Sequence, residues 1–452
     1  MSERHDRGDL PERGIVEDFF AQERATIEEL PGHDLHWQGI VRARRTRRTR
    51  MVAALAAGAA AVVVGAATVA IWQGGGPDAE VAPAGQTSNT VQVPSPQDTT
   101  ATSPDPTSAA PTAPDGFVVR SMTSGDATTR AVLGSDSCDG SACPVIQVTT
   151  DDGQQWRTMS ALTGLSPVPQ GGRLAGAATG PDQVGIVRMA DPQTAWVAGS
   201  TIQRTTDGGQ TWANYPYPGG TVVAMEVDGG TIRFVTADSC TSEGCRGPLT
   251  VYQADTSDPL AETEVLTVEA EVVTDVDLVT SGGVAFLAVD HDGGSTAHRL
   301  GETATEMTVC RDDGGLSLGV PAIAGDGVLT ATCERPVDGG TEVSTTRSTD
   351  QGETWSQETR PTLIRGRVTA LAQSSINDMV LVTDDATAGS GLYRTGDNGV
   401  SWDELVLPDD RRGPWTWAGA GGDDRVYAIP TGSGVYLEST DGGSSWREVD
   451  LG

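Results

Sequence analysis

TTDGGQTW, residues 205–212, sets an Asp and a Gly between Thr residues and closes on a Trp. Thr205, Asp207, Gly209, Thr211 and Trp212 fit the pattern [ST]-x-D-x-G-x-[ST]-W. The pattern returns along the chain. STDQGETW carries Ser348, Asp350, Gly352, Thr354 and Trp355, and TGDNGVSW carries Thr395, Asp397, Gly399, Ser401 and Trp402. STDGGSSW carries Ser439, Asp441, Gly443, Ser445 and Trp446. TTDDGQQW keeps Thr149, Asp151, Gly153 and Trp156 and departs only at Gln155. Each copy reads as a tight hairpin turn. The carboxylate accepts hydrogen bonds from the backbone N–H groups that follow it. The Gly supplies a position with positive φ. The Trp starts the next strand and packs a large apolar face inward, with its indole N–H free for one partner. These Asp residues are therefore assigned to holding turns, not to a ligand or to catalysis.

The five copies resemble the Asp-box, or bacterial neuraminidase repeat, of β-propeller proteins. The resemblance covers about three quarters of the chain and implies an all-β fold. The tryptophans at 156, 212, 355, 402 and 446 lie 56, 143, 47 and 44 residues apart. The long gap is three periods, so two blades lack the box, and 117–452 is expected to form a seven-bladed β-propeller. The boxless blades are expected between residues 222 and 318. There CRDDGGLS (310–317) reads as a decayed box that keeps Asp312 and Gly314 and has Ser317 in place of the Trp. TTDGGQTW looks closest to the repeats of photosystem II assembly-factor propellers, which the resemblance makes binding scaffolds.

The same repeat family includes sialidases and other glycosidases. Sialidases share an FRIP-type motif, an Arg triad and a Tyr-Glu pair. No FRIP occurs here, and Arg120 in GFVVRSM lacks that context. A general glycosidase needs two carboxylates across a cleft. Asp290 with Asp292, and Asp384 with Asp385, are the acidic clusters worth naming, and both read as polar turns. AVDHDGG lacks the distal Glu of a calcium loop. His291 and His298 alone serve the propeller, so no Ser-His-Asp set stands out. No catalytic residue, cofactor site or metal site is assigned.

The 452 residues carry a formal charge of −32, and all 30 basic residues are Arg. The first 50 residues balance ten acidic against ten Arg, so the excess lies beyond them. Such a surface repels nucleic acid and favours a basic or neutral partner. The six Cys follow residue 137. Cys138 with Cys143 and Cys240 with Cys245 form tight local pairs, which leaves Cys310 and Cys333 for each other. An even count beyond a membrane span points to disulfides in an oxidising space.

The N-terminal part has its own grammar. Residues 1–50 read as a short cytoplasmic tail. Within it, Ile15, Phe19, Ile27 and Leu30 mark an amphipathic helix over 14–30, a surface for the inner leaflet or a cytoplasmic partner protein. His33 and His36 lack further ligands and read as solvated. RARRTRRTR (42–50) precedes 51–72, which has no charge and is long enough to span a bilayer. Arg on the N-terminal side makes this a signal-anchor transmembrane helix with its N-terminus inside. Residues 73–116 are rich in Pro, Ser, Thr, Ala and Gly and read as a disordered stalk. APA ending at Ala84 leaves release by cleavage open. The expected function is a membrane-anchored extracytoplasmic scaffold that binds a surface protein or glycan. The alternatives are a sialidase-like surface glycoside hydrolase and a transmembrane sensor that signals through the 14–30 helix.

Overall fold

A computed structural model describes residues 116–451, apart from 139, 171–173, 229, 259–261, 311–313, 322–326, 385–388, 408–413 and 422–424. Packing divides the chain into Met1–Ser103 and Pro104–Gly452. The first unit lies outside the described residues, and so do the 14–30 helix, the 51–72 span and the stalk up to 115. Among the described residues no helix is long and apolar enough to cross a membrane.

The described strands form seven sheets, so this is an all-β seven-bladed propeller. Blade 1 contains the strands Val118–Ser124, Arg130–Cys138, Ser141–Thr149 and Arg157–Thr158, from channel to rim. Blades 2 to 7 repeat this antiparallel order from inner strands at Gln183–Met189, Thr221–Asp228, Val273–Ser281, Leu316–Gly319, Arg367–Gln373 and Trp415–Ala420. Two blades depart from four strands. Ser166–Pro167 adds a parallel strand inside blade 2, and the hairpin Ser239–Thr241 with Gly244–Arg246 reaches from blade 3 to the blade 4 sheet. The boxless blades are 3 and 4, spanning 221–307.

The alternation of a one-sided sheet disappears in the second strands. Ala195–Gly199 and Val426–Pro430 are buried at every position. A blade is covered on both faces by its neighbours, so such strands read as continuous apolar runs. Seven apolar clusters fill the seven seams between blades. The inner strands carry a bulge at one level in six blades, between Val119 and Ser121, Val184 and Ile186, Val222 and Ala224, Val273 and Asp275, Val368 and Ala370, and Trp415 and Trp417. A bulge increases local twist, as the crowded centre of the ring requires.

The ring closes without exchanging a strand: blade 1 uses residues 118–158 and blade 7 uses 415–450. Side chains do the joining. Arg130 and Glu438 are both fully buried and lie 3.3 Å apart. Arg425 bridges Glu438 at 2.5 Å and Asp152 at 2.6 Å, while Arg447 meets Glu438 at 2.5 Å and Arg130 meets Asp152. Tyr427, Tyr436 and Trp156 pack around Arg130 and Phe117.

The decayed-box reading of CRDDGGLS is corrected. Residues 310–317 connect the rim of blade 4 to the inner strand of blade 5, where Ser317 lies buried. True repeat turns join a third strand to a fourth. Blade 4 makes that turn at 301–303, too short for the motif. Asp312 lies outside the described residues.

Candidate functional site

The five repeat turns share one hydrogen-bond scheme. Thr205 Oγ1 donates to Asp207 Oδ1 at 2.8 Å and accepts from Gly209 N at 2.9 Å. Asp207 Oδ1 accepts from Thr211 N at 3.0 Å, and Oδ2 from Thr211 Oγ1 at 2.6 Å. Asp350, Asp397 and Asp441 accept from the N–H and hydroxyl of Thr354, Ser401 and Ser445 in the same way. Asp151 keeps the bond from Gln155 N but has no hydroxyl for its second oxygen. The Thr211 hydroxyl leads the set of bonds that holds Asp207 at about 2, and Thr354 does the same for Asp350 at about 2.

Gly209 has φ of 81° and faces Met159 so closely that no Cβ fits, and Gly399 stands likewise against Thr345. Gly153, Gly352 and Gly443 also have positive φ. Trp156, Trp212, Trp355, Trp402 and Trp446 each pack into the seam with the blade before. Only Trp446 finds a bond for its indole N–H among these, to Gly443 O at 3.1 Å. Every box Asp thus holds its own turn, at the periphery of the disc.

Three disulfides complete the scaffold. Cys138–Cys143 closes the hairpin between the second and third strands of blade 1, and Cys240–Cys245 closes the hairpin that blade 3 extends to blade 4. Cys310–Cys333 ties the connection out of blade 4 to the second strand of blade 5.

The polar chemistry that no motif announced lies in the central channel. A cavity of about 630 Å³ runs along it, lined by the inner strands of all seven blades. Described parts of the connection from blade 1 to blade 2 lie at one end. Its Gln170 bonds Val119 O at 3.1 Å and Gly432 N at 2.8 Å, on blades 1 and 7. Its Leu174 and Ala177 pack on Val223 and Ala224 of blade 3, and Leu174 and Gly176 line the cavity. Gly185 admits the strap because a Cβ there would strike Gly176. The bulged level of the inner strands and Leu174 to Gly176 border one end of the cavity, and the turns after the inner strands, at Gly125 and Gly421, border the other.

Carboxyl groups gather on blades 4 and 5, Asp275 and Asp277 on the cavity wall and Asp290 and Glu334 on the second strands behind it. Asp277 Oδ2 accepts from Leu318 N at 3.1 Å. Asp290 Oδ1 accepts from Leu316 N at 3.1 Å and from Ser295 Oγ at 2.5 Å. Glu334 Oε2 accepts from Val368 N at 3.2 Å on blade 6. Burial raises Asp277 to about 7 and pushes Asp275 and Glu334 well above the usual carboxylate range, with neighbouring carboxylates adding to the last two. Asp290 rises for the same first reason. Asp275 and Asp277 keep part of their surface on the cavity, so water screens them more than a closed core would. Arg367, which donates to Thr274 O at 3.5 Å, is the cation that acts on this group. On the other side Arg188 pairs with Glu226 at 2.8 Å, joining blades 2 and 3.

Arg120 differs from both other channel arginines. It donates to Ser135 Oγ at 3.2 Å, while its buried Nε and Nη1 have no partner. Burial lowers its pKa, and no carboxylate offsets the shift. Of the acidic clusters named from sequence, Asp290 belongs to the carboxyl group of blades 4 and 5, Asp292 sits in a hairpin turn, Asp384 is the exposed last residue of the buried second strand of blade 6 and Asp385 is outside the described residues. His298 is half-buried on blade 4, and burial lowers its pKa. Among the described residues no group of three or more His, Cys, Asp or Glu side chains could hold a metal ion.

No protein-family model matches the chain, and no curated protein matches it. Solved structures do. A structure of YCF48 bound to a D1 peptide is 16% identical, covering 73% of this chain and 94% of that one with a TM-score of 0.48. YCF48 from Cyanidioschyzon merolae is 14% identical over 73% of this chain and 95% of that one, with a TM-score of 0.46. The GH74 enzyme of Niastella koreensis is 14% identical over 73% of this chain and 65% of that one, with a TM-score of 0.29.

Proposed function

We propose that this chain is a non-catalytic binding propeller, an Asp-box scaffold held outside the cytoplasm by a signal-anchor at 51–72. The carrying observation is how the channel uses its charges. Asp277, Asp290 and Glu334 each accept a backbone N–H from the next blade, and Glu226 is taken by Arg188. Those groups hold seams. Arg120 bonds within blade 1, Arg188 joins blades 2 and 3, and Arg367 reaches from blade 6 to blade 4, so the three have separate partners. What remains open to a ligand is the cavity itself, lined by the inner strands of all seven blades. The three disulfides support an oxidising location, and the Arg run before residue 51 supports a cytoplasmic N-terminus.

One observation favours hydrolysis: Asp277, held at about 7, has the proton affinity of a general acid. Its neighbour Asp275 is on the same strand, however, so the two share one wall instead of flanking a bond. The test pairs topology with binding. Protease added to protoplasts should degrade the propeller and spare residues 1–50. Full-length protein in detergent should retain surface proteins or glycans from an envelope extract, and Arg120→Gln should reduce that retention. Protection of the propeller, or retention indifferent to every channel substitution, would refute the reading.

A further inference from the structure

The outer strand of blade 3 is unlike those of the other six blades. Thr263–Val268 runs for 6 residues, where the outer strands elsewhere hold 2 to 4. It is the last strand of its sheet and pairs with Leu249–Asp255 on its inner side alone. Among the described residues no other hydrogen bond reaches the backbone of 263–268. A free edge of this kind turns N–H and C=O groups outward and is a template for one more strand. The side chains leave it open. Val265 and Leu266 lean on the apolar seam with blade 4, whereas Thr263, Glu264 and Thr267 are exposed. A bulge after Glu264 lets those two successive residues turn inward.

The edge also carries one sign of charge. Residues 247–298 contain ten acidic residues and no Arg, although the chain beyond residue 50 holds 52 acidic residues and 20 Arg. Glu262 and Glu264 stand at the start of the outer strand, and Glu269 and Glu271 follow its end. Glu264, Glu269 and Glu271 are exposed, and among the described residues no Arg pairs with any of the four. Glu264 instead accepts from Thr267 Oγ1 at 3.0 Å. By contrast, Arg157 and Arg447 stand on the outer strands of blades 1 and 7. Like charges set opposite one another destabilise a strand pair, so this edge refuses a second copy of itself and favours a strand of opposite charge. We infer that the outer edge of blade 3 takes an extended basic segment of a partner protein as a fifth strand. Its backbone bonds along 263–268, with Arg or Lys side chains near Glu262 and Glu264 at one end and Glu269 and Glu271 at the other. Glu264 and Glu269 are five residues apart, about 17 Å along an extended chain. Basic residues five or six positions apart in the partner span the same length. This surface lies on the rim, apart from the channel, and does not depend on a ligand there.

The probe is a synthetic peptide, Arg-Arg-Thr-Val-Thr-Val-Arg-Arg, titrated into the full-length protein at low ionic strength. Its binding should slow hydrogen exchange at 263–268 and weaken as salt is added. Replacing its four arginines with glutamate should weaken it by about tenfold or more, as should Glu264→Arg combined with Glu269→Arg in the protein. That double variant should prefer the glutamate peptide. An added strand turns only every second N–H towards its neighbour. Methylating one alternate set of the peptide's backbone nitrogens should therefore abolish the protection, and methylating the other set should spare it. The altered peptides act on unaltered protein, so the test holds even if a variant fails to fold. Equal binding of the two methylated peptides, protection away from 263–268, indifference to the charge reversals, or no binding at millimolar concentration overturns the inference.

Discussion

Glu438→Ala should open the ring. Glu438 lies wholly inside blade 7, and three guanidinium groups converge on it, from Arg130 at 3.3 Å, Arg425 at 2.5 Å and Arg447 at 2.5 Å. Arg130, on blade 1, has no exposed side-chain surface. Its Nε and Nη1 have no partner even in the intact protein, so its charge depends on Glu438 and Asp152. Removing one partner of a buried pair costs about 3–5 kcal/mol, because the other charge stays behind unpaired. A domain holds about 5–15 kcal/mol in total, so this one change should remove about a fifth of the stability or more. The seam has no shared strand to fall back on. Glu226→Gln at the partly exposed Arg188 pair should cost about 1 kcal/mol or less. Urea unfolding of the two variants, followed by Trp fluorescence, measures the difference. If Glu438→Ala costs under about 1 kcal/mol, or no more than Glu226→Gln, closure by the arginine network is wrong and the apolar contacts of Phe117, Tyr427 and Tyr436 carry the seam.

The other predictions concern pH, the turns and the disulfides. Asp277 titrates at about 7 in the folded protein against about 4 in an unfolded chain. The native state thus binds the extra proton between those values, and stability should fall as pH rises through that window, by up to about 1.4 kcal/mol per unit. Asp277→Asn should flatten the slope, and a wild-type protein that gains stability over this range would contradict the burial argument. Asp207 and Asp350, held at about 2, act in the opposite direction, so stability should also be lost as pH falls from about 4 towards 2. Thr211→Val should lower the melting temperature and Gln155→Thr should raise it, since the second adds the hydroxyl bond that the first deletes; calorimetry that finds the reverse order refutes the shared scheme. Replacing Cys310 and Cys333, 23 residues apart, with Ser should cost about 3 kcal/mol, against about 2 kcal/mol for Cys138 and Cys143, 5 residues apart. Equal losses in urea titrations would show that loop closure does not set the difference.

What could be read from sequence was what the chain writes locally. The bonds of a repeat turn join residues two to four positions apart, as from Thr205 to Asp207 and Gly209, so pattern and structure coincide. Blade number followed from their spacing, and the disulfides from two short hairpins and a remainder. The decayed box failed because residues DDGG also suit an inter-blade connection, and only strand order separates the two. The channel was illegible for a different reason. Asp277 meets Leu318 41 residues on, and Arg367 meets Thr274 93 residues back. The closing network pairs Asp152 with Arg425 across 273 residues. One signal was available: TDVDL (274–278) places two acids on one face of an apolar strand, where a solvent-facing pair would be expected only on an outer strand.

Binding without chemistry is the central claim, and turnover tests it most directly. Purified full-length protein is incubated with sialosides and aryl glycosides, beside Asp277→Asn. The account predicts no hydrolysis above the uncatalysed rate by either protein. Sustained release of product by the wild type that vanishes in Asp277→Asn would make the channel an active site and contradict it.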